Sequence, residues 1–155
     1  MSKNRFIPAE RILGEVLEAY KERNDQVGMV EAYHTFGNMY KNEGLSTPQN
    51  LRHFQTRGTY EKRFELSKDY FEKALSLYKD QQDFMGISKS YFGIASVYGI
   101  LKKNQKACEY LDKSLEAYNQ GKEKDPNARL PILTDYKDAR EMIAYFKKVA
   151  ACWKY

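Results

Sequence analysis

The chain has 155 residues, 42% of them hydrophobic and 30% charged, with a formal net charge of +5. That length suits one domain able to bury roughly 70% of the surface its unfolded form exposes. No apolar run reaches membrane-spanning length, the N-terminal stretch lacks a continuous signal-peptide core, and the positive charge is spread, which excludes a polybasic tail.

Apolar residues recur at helical spacing almost throughout. The first helix is expected to start at Pro8, a favoured first-turn residue, with Leu13, Val16, Leu17 and Tyr20 on one face. Asp25 reads as an N-cap, because a short carboxylate accepts bonds from the orphan amides of the next helix start. The second helix then buries Val30, Tyr33, Phe36, Gly37 and Tyr40 and stops near Gly44. A third runs from about Tyr60 to Lys79, with Phe64, Ser67, Phe71, Ala74, Leu75 and Tyr78 inward. Asp83 caps a fourth, which carries Tyr91, Ile94, Ala95, Tyr98 and Leu101. The fifth, from about Asn104, presents Ala107, Leu111, Ser114, Leu115 and Tyr118. Asp125-Pro126 reads as a cap with a first-turn proline, and Pro131 as a second start. The last helix is expected to show Ile132, Tyr136, Ala139, Ile143, Phe146, Ala150 and Trp153 as one continuous apolar seam.

Cys108 and Cys152 fall in helical patterns without metal-ligand spacing. They read as buried structural thiols of a reducing compartment, so the expected address is the cytoplasm.

The chain repeats itself. Leu17, Tyr20, Lys21, Asp25, Gly28, Tyr33 and Tyr40 match Leu75, Tyr78, Lys79, Asp83, Gly86, Tyr91 and Tyr98 at an offset of 58. A second self-match, DYFEKALSLY from Asp69 against EYLDKSLEAY from Glu109, runs at an offset of 40. Repeats of this length mean stacked supersecondary units, none of which buries its apolar face alone. The two offsets differ by about 18 residues, which marks an insertion at 45–63 within the first repeat. The organisation expected is a single domain over 1–155, all-α, of antiparallel helix-turn-helix repeats stacked in a short right-handed solenoid with a C-terminal capping helix.

Small residues stand where paired helices would approach closely: Gly37, Ala95 and Ala107. With Tyr33-x-x-Phe36-Gly37-x-x-Tyr40 in one unit and Tyr91-x-x-Ile94-Ala95-x-x-Tyr98 in the next, the pattern resembles the tetratricopeptide repeat. The linking stretch Asp83-Phe84-Met85-Gly86 is similar to the longer variety, about 40 residues per repeat, of kinesin light chains and bacterial regulatory proteins. The resemblance implies a binding surface, with a peptide or helix of a partner protein lying in a concave groove lined by the first helix of each unit. Carried over by position, the groove candidates are Glu31, His34, Asn38 and Lys41 in the first unit. In the second they are Lys89, Phe92, Ser96 and Gly99, with Tyr136 and Arg140 extending the groove from the last helix. Phe92 is the expected apolar anchor, unless the capping helix or a second subunit covers it. Asn38 alone does not make the family's carboxylate clamp, because the position one turn earlier holds His34 instead of lysine.

No catalytic constellation is present: no phosphate-cradling Gly motif, no nucleophile elbow, and only His34 and His53 as histidines. The expected function is therefore a non-enzymatic adaptor or regulator without cofactor or metal. The insertion carries Arg52, Arg57, Lys62 and Arg63 interleaved with apolar residues, a possible basic docking element. With Lys102, Lys103 and Lys106 these support the second reading, a nucleic-acid-associated protein. A third is a homo-oligomer joined through an open end of the array. No membrane partner is expected.

Overall fold

The computed structural model describes residues 6–42, 61–131 and 135–155. They form α1 (Phe6–Glu22), α2 (Gln26–Lys41), α3 (Arg63–Asp80), α4 (Phe84–Ile100), α5 (Asn104–Lys124) and α6 (Ala139–Val149), then a 3-10 turn at Cys152–Lys154. Among the described residues there is no strand, and consecutive helices pack on one another, as helical repeats require. The chain divides into two compact units, residues 1–74 and 75–155, with the boundary inside α3.

The same turn opens both units. Asn24 and Gln82 take the left-handed conformation, with φ of 52° and 54°. The amides of Asp25 and Asp83 then reach back to the carbonyls of Tyr20 and Tyr78, each at 2.9 Å, which closes the preceding helix. The carboxylates of Asp25 and Asp83 accept from the amides of Gly28 and Gly86 at 2.9 and 3.0 Å, which starts the next one. One residue thus ends one helix and caps another, and this is how a three-residue link turns the chain round.

In the first unit α2 buries Val30, Tyr33, Phe36, Gly37 and Tyr40, as the periodicity predicts. Phe71 of α3 lies directly on Gly37, where a Cβ would stand 2.7 Å from its ring. The Ser67 hydroxyl donates to the Gly37 carbonyl at 2.6 Å. A small residue here lets two helices touch, and the neighbour's hydroxyl reaches the Gly37 carbonyl inside the buried contact.

In the second unit α4 and α5 pair through Ser88 and Ser114, both fully buried. Ser88 Oγ donates to the Ser114 carbonyl at 2.8 Å and Ser114 Oγ to the Ser88 carbonyl at 2.9 Å. Each bond contributes about 1 kcal/mol net, and losing one partner costs more, because the other is left buried and unpaired. Ala95, Leu111 and Ile143 form the apolar centre that joins α4, α5 and α6.

Three expectations are corrected. Asp125 closes α5 instead of opening a helix. Its carboxylate accepts from the Asn127 amide at 2.9 Å in a local turn, while the Lys122 ammonium donates to the carbonyls of Pro126 and Ala128 at 2.6 and 3.0 Å.

The apolar seam of the last helix is not continuous, and its first residue, Ile132, lies outside the described residues. The helix starts at Ala139, because the Asp138 carboxylate accepts from the Glu141 amide at 2.9 Å and the Glu141 carboxylate accepts from the Lys137 amide. At its far end Ala151 is left-handed, with φ of 56°, so Trp153 leaves the stripe and is 73% exposed.

Finally, Cys108 and Cys152 are not free thiols. They form a disulfide, with Cα atoms 5.5 Å apart, that ties α5 to the 3-10 turn across 44 residues of sequence. The left-handed turn at Ala151 is what a purely helical reading of Cys152 lacked.

Candidate partner-binding surface

In the first unit the α2 candidates divide by helical angle. Glu31 and Asn38 are exposed, with Thr35 between them, and Thr35 Oγ1 donates to the Glu31 carbonyl at 2.8 Å. These three make a polar row on the one side of α2 that the core leaves open. His34 does not join it. At helical spacing it shares the side of Val30, Gly37 and Lys41, and it is 3% exposed, edge-on to Phe71 with ring centroids 5.2 Å apart. The groove position expected for His34 is thus corrected to the interior. Lys41 is half-buried with its ammonium 5.6 Å from the centre of the Phe71 ring, and burial pushes its pKa down.

In the second unit Lys89, Phe92, Ser96 and Gly99 are all half-buried. The Ser96 hydroxyl donates to the Phe92 carbonyl at 2.9 Å within the helix. Phe92 is no open anchor. Its ring meets Phe146 of α6 edge-on at 5.2 Å and packs against the Ala95–Leu111–Ile143 centre. The weighed alternative, cover by the last helix, describes its surroundings.

Tyr136 precedes α6 instead of lying on it, with its ring 5.6 Å from Tyr145 and 6.4 Å from Phe146. Arg140, on the first turn of α6, donates from Nε to Asn119 Oδ1 at 2.9 Å and stands 5.5 Å over the Tyr118 ring. It acts as a brace between α5 and α6.

On α6 the large apolar residues that face outward are Tyr145 at 50% and Val149 at 64% exposure, one turn apart. Sequence reasoning passed over both, since it followed the stripe through Ile143 and Phe146. The signal was there, in a second apolar pair at helical spacing off that stripe.

Of the basic candidates, Arg52 and Arg57 lie outside the described residues. Lys62 is exposed, and the Arg63 guanidinium stacks 4.2 Å from the centre of the Phe64 ring. Lys102 and Lys103 are exposed in the turn between α4 and α5, where Lys102 is left-handed with φ of 58°. Lys106 lies over Tyr98 at 5.5 Å. No helix among the described residues is long and apolar enough to cross a membrane.

With this geometry in view, the comparisons fit the repeat reading. The tetratricopeptide repeat model matches residues 59–81, which contain α3, and residues 88–120, which take in most of α4 and α5. No curated protein and no solved structure matches the chain.

Proposed function

We propose that this chain, which carries tetratricopeptide repeats, is a non-enzymatic protein-interaction module, an adaptor or regulator that holds a segment of a partner protein. Tetratricopeptide repeats generally mediate contacts between proteins, and the observation that carries the reading here is the polar row Glu31, Thr35 and Asn38. It is the exposed side of a helix whose other sides are packed. Such a row suits hydrogen bonding to a segment laid along the helix, with Glu31 and Thr35 offering acceptors and Asn38 both donor and acceptor. In the second unit the contact residues favoured are Lys89 and Ser96, with Tyr145 replacing Phe92 as the aromatic that a partner can reach.

A reducing cytoplasm rests on Cys108 and Cys152 being free thiols. The disulfide removes that support and favours conditions oxidising enough to keep Cys108 and Cys152 joined.

The test is affinity capture from native lysate with and without nuclease, comparing wild type with the double variant Glu31→Lys/Asn38→Lys. A discrete protein that survives nuclease and is lost with the variant supports the reading. Bound material that vanishes on nuclease treatment would replace it with the nucleic-acid reading.

A further inference from the structure

The second helix of each repeat buries one face against the first helix before it. On α3 that face carries Tyr70 and Ala74: the Tyr70 ring stacks 4.5 Å from Phe36 of α2, and Ala74 is fully buried. On α5 it carries Tyr110 and Ser114: the Tyr110 ring stands 5.5 Å from Tyr98 of α4, and Ser114 is bonded to Ser88. On the same face each helix has a lysine whose ammonium rests over a tyrosine of the first helix. Lys73 lies 5.8 Å from Tyr33, and Lys113 lies 6.0 Å from Tyr91.

By register α1 is a second helix too, since its Leu17 and Tyr20 match Leu75 and Tyr78 of α3. The same offset puts Ile12, Glu15 and Val16 at the positions of Tyr70, Lys73 and Ala74. In α1 this face is open, with Ile12 53% and Val16 38% exposed. Its charge is also reversed, from lysine to Glu15. Arg11 stands 3.9 Å from Glu15, but both side chains are largely exposed and such a contact contributes little. A helix that covers this face must therefore bring apolar side chains beside a cation.

The last helix offers them. In the alternation of the repeats α6 is a first helix, packed on α5, yet a 3-10 turn follows it instead of a second helix. It buries Ala139, Met142 and Ile143 and turns Tyr145 and Val149 outward, with Lys148 exposed beside them. Tyr145-x-x-Lys148-Val149 has the spacing of Ile12-x-x-Glu15-Val16 with the opposite charge. Repeat arrays need polar outer faces on their terminal helices to stay soluble, and these two helices present apolar pairs instead.

We infer that Ile12, Glu15 and Val16 of one copy dock on Tyr145, Lys148 and Val149 of a second copy of this chain. The α6 of one copy thereby gains the second helix it lacks, and α1 of the other gains the first. Laid antiparallel, with Ile12 against Val149 and Val16 against Tyr145, Glu15 and Lys148 lie about 3 Å apart along the axis. That is within reach of an ion pair, which fixes the register of the contact. The contact joins unlike faces, so association continues beyond two copies unless a ring closes. The inference goes beyond the function proposed above and shares only Tyr145 with it.

The test is sedimentation velocity of the purified full chain over about a hundredfold range of concentration. Weight-average mass is expected to rise with concentration. Glu15→Lys alone and Lys148→Glu alone should each weaken association about tenfold, because like charges then face each other. Combining them in one chain, or mixing the two single variants in equal amounts, should restore association to within about threefold of wild type. Both positions are exposed, so circular dichroism should match wild type. If either reversal disturbs folding, Glu15→Gln and Lys148→Gln should each weaken association about twofold to threefold. A chain that stays monomeric leaves the α1 face to a different protein and overturns the inference. So do single variants that associate like wild type, sensitivity at position 15 alone, or a double variant as weak as either single. The α2 capture experiment reads the binding of other proteins, so the two readings can fail separately.

Discussion

The ring of Tyr78 occupies the place where a side chain on residue 86 would begin: a Cβ on Gly86 would stand 2.1 Å from Tyr78 Cδ1. Tyr20 stands in the same relation to Gly28, at 2.3 Å. The helix-closing tyrosine and the helix-opening glycine therefore work as a pair, and the turn between them is as short as their contact allows. Gly86→Ala should cost about 2–3 kcal/mol, because overpacking outweighs the gain in helix propensity. Urea unfolding checks this, and Tyr78→Leu/Gly86→Ala should recover part of the loss.

The turns carry a smaller, opposite opportunity. Lys102 is a non-glycine residue in the left-handed conformation, and its amide and that of Lys103 bond back to Gly99 and Tyr98 at 3.0 and 2.9 Å. Glycine adopts this conformation without strain but loses more entropy on folding. Lys102→Gly should therefore stabilise by about 0.5–1 kcal/mol, read as a higher denaturation midpoint.

Why the turns were legible and other features were not is a matter of range. Asp25 and Asp83 act through amides three residues away, so their identity alone points to the helix start. The helical spacing likewise located α2 to α5 and most of their buried faces, but Leu101, expected inward on α4, follows its last residue and is exposed. The candidate site was harder. His34 and Lys89 both sit at angles where burial depends on which neighbour arrives, and Phe92 is covered by a helix some fifty residues later in sequence. The disulfide depends on a single left-handed residue, Ala151, which carries no sequence mark.

Phe92 makes that difference measurable. On the sequence reading, a Phe92 variant weakens partner binding and leaves the fold intact. With the ring packed on Phe146 and the Ala95–Leu111–Ile143 centre, Phe92→Ala should instead lower stability by about 2–4 kcal/mol. Asn38→Ala, at the exposed row, should stay within about 0.5 kcal/mol of wild type. Thermal unfolding of the two variants side by side separates packing from surface.

The Cys108–Cys152 bond closes 44 residues of chain and should restrict the unfolded state accordingly. Its loss should cost on the order of 3–4 kcal/mol. Thermal unfolding with and without reductant gives the difference, and the Cys108→Ser/Cys152→Ser variant should be insensitive to reductant.

The most direct test of the proposed function is photocrosslinking from position 38 in nuclease-treated native lysate, with a photoreactive residue in place of Asn38. The same residue in place of the exposed Glu123 on α5 is the control. If the α2 row holds a partner segment, position 38 will join one discrete protein that position 123 does not. Equal labelling from both positions, or none from position 38, would contradict it.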